Sequence, residues 1–216
     1  MTDSNRDNAL RQTYEHIHLV QKLLASAQVE LMRRQFTHDR SKLASPEWEY
    51  YERVSHNLEG LTYGTPEYTA QLKANLGPAV EHHYAHNRHH PEFFPEHSDE
   101  RQSAAIAAHR LMAKWATDNA QVLPDDVYGY RDLDKFLAQK EAEVKARVNN
   151  MNLFDLLEMI VDWLAATKRH ADGDINKSIE INTERFGLSP QLVNILKNTV
   201  DWINDEFEGL STQKDL

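Results

Sequence analysis

The stretch NLFDLLEMIVDWLAATKR, residues 152–169, decides the fold class. Leucine, methionine, isoleucine and tryptophan recur through it at the three- and four-residue spacing of a helix, with few polar interruptions, which predicts a deeply buried helix from Leu153 to Arg169. Asn152 stands where an N-cap is needed, because its side-chain oxygen can accept from the first-turn amides. The acids Asp155, Glu158 and Asp162 are the residues that such a helix has to justify. Glu158 and Asp162 lie four residues apart on a face shared with Leu156, Met159 and Trp163, and a carboxylate buried there must be paired or bound to a cation. Asp162 is therefore a candidate metal ligand, and Glu158 a candidate for orienting a ligand histidine or moving a proton. Ion pairing with Lys168, Arg169 or an arginine of another helix is the competing reading.

The rest of the chain repeats the helical signal. From about Asn8 to Phe36, the residues His16, Val20, Leu23, Leu24, Ala27 and Leu31 fall on one side of a first helix. Ser45-Pro46-Glu47-Trp48 reads as a cap, a first-turn proline and a first-turn carboxylate, opening a helix that ends near Leu58. Thr65-Pro66-Glu67 repeats that signal, and Gly77-Pro78 marks either a stop or the restart of the helix carrying His82 and His83. Arg88 to Ser98, with two prolines and two phenylalanines, is predicted to be a loop closing over something. Helices follow at Ser98–Ala120 and Asp132–Val148, around an Asp- and Pro-rich break. The segment 101–148 is charged and reads as a helical insertion. Ser178–Phe186 stops at Gly187, and a last helix runs from Ser189 through Phe207. No strand pattern or repeat stands out, so the expectation is an all-α chain, one helical domain over residues 1–216 with a metal site between helices.

Composition narrows the chemistry. The 216 residues include no cysteine, which leaves His, Asp and Glu as the strong metal ligands and excludes disulfides, thiolate sites and cysteine nucleophiles. The formal net charge of -10 disfavours a nucleic-acid polymer as partner, while a small phosphorylated molecule stays accessible because a bound divalent ion changes the local field. No apolar run reaches the length of a membrane span, and the N-terminus is too polar for a signal peptide, so a cytoplasmic protein with no membrane partner is expected.

Two further motifs carry candidate chemistry. In His38-Asp39-Arg40-Ser41-Lys42 an imidazole and a carboxylate at a helix end can reach one cation, and Lys42 lies three residues on, where its ammonium could hold a phosphoryl oxygen. Five of the twelve histidines lie between His82 and His90. His83 and His90 are the preferred ligands there, and His90 precedes a proline that breaks the helix and lets the side chain turn inward. His82, His86 and His89 fit supporting, substrate-facing or merely exposed positions. His16 joins the candidates from the first helix, with a satisfied core histidine as its competing reading. His16, His38, Asp39, His83, His90 and Asp162 are enough N and O donors for one or two divalent ions, Fe, Mn, Mg or Zn, with Asp39 as the bridge between two.

The order His16, His38-Asp39, His83, His90, Asp162 resembles the HD-domain superfamily of metal-dependent phosphohydrolases. More closely, the segments around His16, His38 to Glu47, His83 to Glu92 and Glu158 to Arg169 resemble a little-characterised family of phage and bacterial proteins. The resemblance implies an α-helical core cradling the metal, with His16, His38, Asp39 and Asp162 in the four signature ligand roles and His83 and His90 as the added histidines of binuclear members. His38-Asp39-Arg40-Ser41-Lys42 is also similar to the His-Asp-x-Gly-Lys motif of cyclic-dinucleotide phosphodiesterases. Ser41 departs from its glycine, however, and the Gly-Tyr-Pro signature of that branch is missing.

The function this implies is hydrolysis of a small phosphorylated substrate, a nucleotide or deoxynucleotide, by metal-activated water. Asp39, Lys42, Glu47 and Glu158 would take catalytic roles, and Lys42, His86, Asn87, Arg88 and Arg169 would contact substrate. A di-iron oxygenase of the same superfamily fits the same donors. A non-catalytic helical interaction protein of phage or bacterial origin, working in the host cytoplasm if phage-encoded, is the third reading. A homodimer is compatible with all three.

Overall fold

The computed structural model of the chain describes residues 3–58, 66–118, 133–169 and 172–212. Eight α-helices and no strand occur among them: α1 (Asp3–Thr37), α2 (Glu47–Leu58), α3 (Pro66–His86), α4 (Glu100–Asp118), α5 (Leu133–Lys145), α6 (Leu153–Lys168), α7 (Ile175–Phe186) and α8 (Pro190–Thr212). The fold class is thus the all-α one read from the sequence. All but the last residue of the turn expected at Gly60–Pro66, and most of the break between α4 and α5, lie outside the described residues. No described helix is long and apolar enough to cross a membrane. The chain divides into two compact units, Met1–Arg40 and Ser41–Leu216.

The first unit is α1 and the turn that ends it. Its apolar stripe is exposed: Leu23 and Leu24 keep 62% and 60% of their surface, and His16 is exposed with them. Periodicity reports which residues share a helical face, not what covers that face. The helix stops where Asp39 adopts φ 56, a left-handed conformation that a short polar side chain tolerates. Just before it, the His38 amide still donates to the Arg34 carbonyl at 2.8 Å.

The second unit is built on α6, which packs against α7 and α8, themselves paired. Met159, Ile160 and Ile179 are fully buried, and Trp163, Leu164, Leu188, Leu196 and Val200 complete the cluster. Each such large apolar side chain contributes about 1.5–3 kcal/mol by leaving water. Ala146 and Val148, at the far end of the 101–148 segment, belong to the same cluster. The predicted cap is present as a full capping box, in which Asn152 Oδ1 accepts from the amides of Phe154 and Asp155 while Asp155 Oδ2 accepts from the Asn152 amide.

At Gly77-Pro78 the chain neither stops nor restarts, because α3 runs through Pro78 unbroken. Leu76 and Ala79, which flank the pair, are buried against Tyr50 and Tyr51 of α2. Tertiary packing thus holds a helix whose proline lacks a backbone donor. Glu47, rather than Ser45 or Pro46, is the first residue of α2, and it is fully buried.

Beyond α3, residues 88–97 form the predicted loop, with a 3-10 turn at Pro91–Phe93. Polar ties hold it to the core elements. Arg88 reaches both oxygens of buried Asp155, at 3.2 and 3.0 Å. Arg147 donates to the carbonyls of Glu92 and Phe94, at 3.2 and 2.6 Å. Arg185 donates to Glu92 Oε1 at 2.6 Å, and Asn150 to the Pro95 carbonyl at 3.1 Å.

Two predictions follow from these constraints. Gly187 ends α7 at φ 64, and a Cβ there would lie 2.9 Å from the Ala142 carbonyl oxygen. Gly187→Ala is expected to cost about 1–2 kcal/mol, read as a lower midpoint in urea unfolding; an unchanged midpoint would show that the close approach relaxes freely. Arg88→Met removes the guanidinium from the buried carboxylate of Asp155. Because the Arg88 side chain is 46% exposed, the expected loss is about 1–3 kcal/mol rather than that of a fully buried pair, and calorimetry of the two proteins measures it.

Candidate metal centre

Within the second unit, the histidine run straddles the end of α3. His82, His83 and His86 are helical, whereas His89 and His90 lie in the loop pinned by Arg88 and Arg147. His90 is extended, with φ -95 and ψ 127 before Pro91, as a residue preceding proline must be. The turn brings His90 back onto His83, so that their Nε2 atoms stand 2.9 Å apart. His89, buried like His83, packs its ring against both, with centroids 4.1 Å from His90 and 6.0 Å from His83. One ring nitrogen from each of the three histidines lies within 4.8 Å of the others, close enough to hold a metal ion.

Behind this trio stands Glu47. Its Oε2 is 3.0 Å from His83 Nδ1 and its Oε1 is 2.8 Å from His82 Nδ1. A carboxylate accepts, so the proton on His83 Nδ1 belongs to that contact, and the Nε2 lone pair of a neutral ring then faces His90. The Asn87 amide donates to Ser41 Oγ and to the His83 carbonyl, both at 2.8 Å, and its nitrogen also stands 3.0 Å from His83 Nδ1. On the other side, Glu158 Oε1 on α6 lies 3.3 Å from His89 Nδ1. Two carboxylates from two different helices thus back two of the three histidines.

The remaining sequence candidates take varied positions. Asp162 is half-buried on α6, one turn beyond Glu158. His38 and Asp39 follow α1, with His38 Nε2 3.6 Å from Asp39 Oδ2 and both side chains partly buried. His16 belongs to no ligand group among the described residues. Lys42 is half-buried, with Nζ 5.9 Å above the Tyr51 ring, and Arg169 is exposed at the end of α6. His86 is exposed and stacks on His82 with 3.9 Å between centroids, its Nδ1 donating to the His82 carbonyl at 2.7 Å.

Arg88 is engaged with Asp155 and stands over the Phe93 and Phe94 rings at 5.2 and 4.9 Å, so it holds the loop. Sequence reasoning passed over His89 as a core member of the trio. Helical spacing ranks histidines only as far as His86, where α3 ends. Nothing in the local sequence orders the side chains of a loop whose path is set by Asp155 and Glu92, contacts made far along the chain.

No curated protein and no solved structure matches the chain. A family model does match it, over residues 5–116 and 134–202, leaving out the Asp- and Pro-rich break between α4 and α5. By that match the chain belongs to DUF5662, a family of unknown function.

Proposed function

We propose that the chain is a metal-dependent phosphohydrolase acting on a small phosphorylated substrate, with a nucleotide or deoxynucleotide as the class to test first. The observation that carries the reading is the 2.9 Å approach of His83 Nε2 to His90 Nε2 with the buried carboxylate of Glu47 on the far side of the His83 ring. A carboxylate, a histidine and a cation in line is the usual support of a metal-binding imidazole, since the carboxylate fixes the tautomer and raises the ring's basicity. In the free protein an N–H···N hydrogen bond from His90 accounts for the distance. Two nitrogens bound at right angles to one six-coordinate ion at about 2.1 Å would stand about 3.0 Å apart, so binding requires little rearrangement. The donor set, imidazole and carboxylate without thiolate, suits Fe, Mn, Mg or Zn.

His83, His89 and His90 form the nitrogen side of the proposed centre. His38 and Asp39 are proposed as further ligands because the His38-Asp39 dipeptide resembles the signature motif of the HD-domain superfamily. Asp162 supplies the last carboxylate. One or two divalent ions held there would polarise phosphoryl oxygens and provide hydroxide at neutral pH.

The protein's own groups do the rest. Glu47 positions His83 and His82, because both of its oxygens are taken by histidine, and it is not the group that moves the proton. Glu158, half-buried beside His89, is placed for that task in this reading. Arg88 is committed to Asp155; Lys42 and Arg169 are the cations proposed for the phosphoryl oxygens, and the exposed ring of His86 a rim contact for substrate.

Glu47→Gln should weaken divalent-metal affinity about 10- to 100-fold with helicity unchanged, measured by chelator competition and far-ultraviolet circular dichroism. An unaltered affinity would remove the carboxylate from the account. The metal-loaded protein should release phosphate from a member of a nucleotide panel equally with and without oxygen, and Asp39→Asn should lower that rate more than about 100-fold. Product formation that requires oxygen would instead establish the oxygenase. Tight metal binding with no turnover on any substrate would favour a helical scaffold.

A further inference from the structure

The exposed face of α1 carries a seven-residue repeat. Leu10, Ile17, Leu24 and Leu31 are spaced by seven, and Thr13, Val20, Ala27 and Arg34 follow each by three, which is the a and d pattern of a coiled coil sustained over about three and a half heptads. Leu10, Ile17, Val20, Leu24 and Leu31 are all exposed. Soluble surfaces rarely leave a continuous apolar stripe of this length open.

We propose that α1 pairs antiparallel with α1 of a second copy of the chain, crossing its two-fold axis between Val20 and Leu24. The choice of partner and direction rests on size and charge. In the antiparallel register, Ile17 meets the partner's Ala27, Leu24 meets the partner's Val20 and Leu31 meets the partner's Thr13, so each larger residue faces a smaller one. A parallel pair would instead set like on like, with Thr13 on the partner's Thr13 and Ala27 on the partner's Ala27, and lose this large-to-small match.

The flanking positions agree with self-pairing. On one flank His16 faces the partner's Glu30, and Leu23 faces the partner's Leu23 at the axis. Glu30 is held in its anionic form, because hydrogen bonds from Arg34 and Arg33 lower the pKa of its carboxyl. Tyr14, Gln21 and Gln28 on the other flank are uncharged, so two identical helices meet there without repulsion between like charges. This assembly is independent of the metal-centre reading, and the two stand or fall separately.

The absence of native cysteine makes the test direct. In analytical ultracentrifugation the full-length wild type should sediment as a dimer. The double variant Ile17→Glu/Leu24→Glu should sediment as a monomer with its helicity kept, since both side chains are exposed. Leu23→Cys should cross-link to a covalent dimer with a short bis-maleimide, and Leu10→Cys should not, being remote from its counterpart in an antiparallel pair. A monomeric wild type, or a dimer that survives the double variant, would overturn the proposal. Cross-linking through Leu10→Cys but not Leu23→Cys would overturn the antiparallel pairing.

Discussion

Asp155 has no exposed surface, and a carboxylate removed from water must gather several donors or give up its charge. It gathers them from two parts of the chain. The Asn152 amide comes from the first turn of α6, and two nitrogens of Arg88 come from the loop beyond α3. One side chain therefore starts the helix on which the core is built and fixes the residue immediately before His89. Arg147 and Arg185 tie down the other end of the same loop through the carbonyls of Glu92 and Phe94 and the Glu92 carboxylate. The histidines between those anchors are held by main-chain placement rather than by their own packing alone.

Glu47 solves the same problem in the opposite sense. It is equally buried, but its partners are two imidazoles rather than a guanidinium. Asp155 meets a permanent cation, so the pair is structural in character. Glu47 meets rings that are cationic only when protonated, and it leaves the His83 Nε2 lone pair pointed at His90. The contrast between these two buried acids separates the part of the second unit that holds the fold from the part suited to chemistry. It also redistributes the basic residues, since Arg88 belongs to the first group.

The all-α class and the placement of α6 were legible in the sequence because a capping asparagine, an apolar run and helical spacing all point the same way over one continuous stretch. Gly187 likewise announces the end of α7. The stripe on α1 was legible as a stripe, but the sequence does not say whether it faces the protein's own core or another molecule. Gly77-Pro78 misled for a related reason: the local rule against an internal proline was outweighed by the burial of Leu76 and Ala79 on either side. For the candidate site, His83 and His90 could be chosen from the helical register and the proline that follows. The burial of His89, the commitment of Arg88 and the double contact of Glu47 depend on partners 35 to 69 residues away along the chain, and no local pattern encodes them.

The central claim is that His83 and His90 are poised to share a cation. Crystals grown with manganese or iron and measured on both sides of the metal's absorption edge test it most directly. The account predicts an anomalous peak about 2.0–2.2 Å from Nε2 of both residues, with the Glu47 carboxylate still on His83 Nδ1. Anomalous density absent from that position at saturating metal, with the two Nε2 atoms remaining hydrogen-bonded to each other, would contradict it.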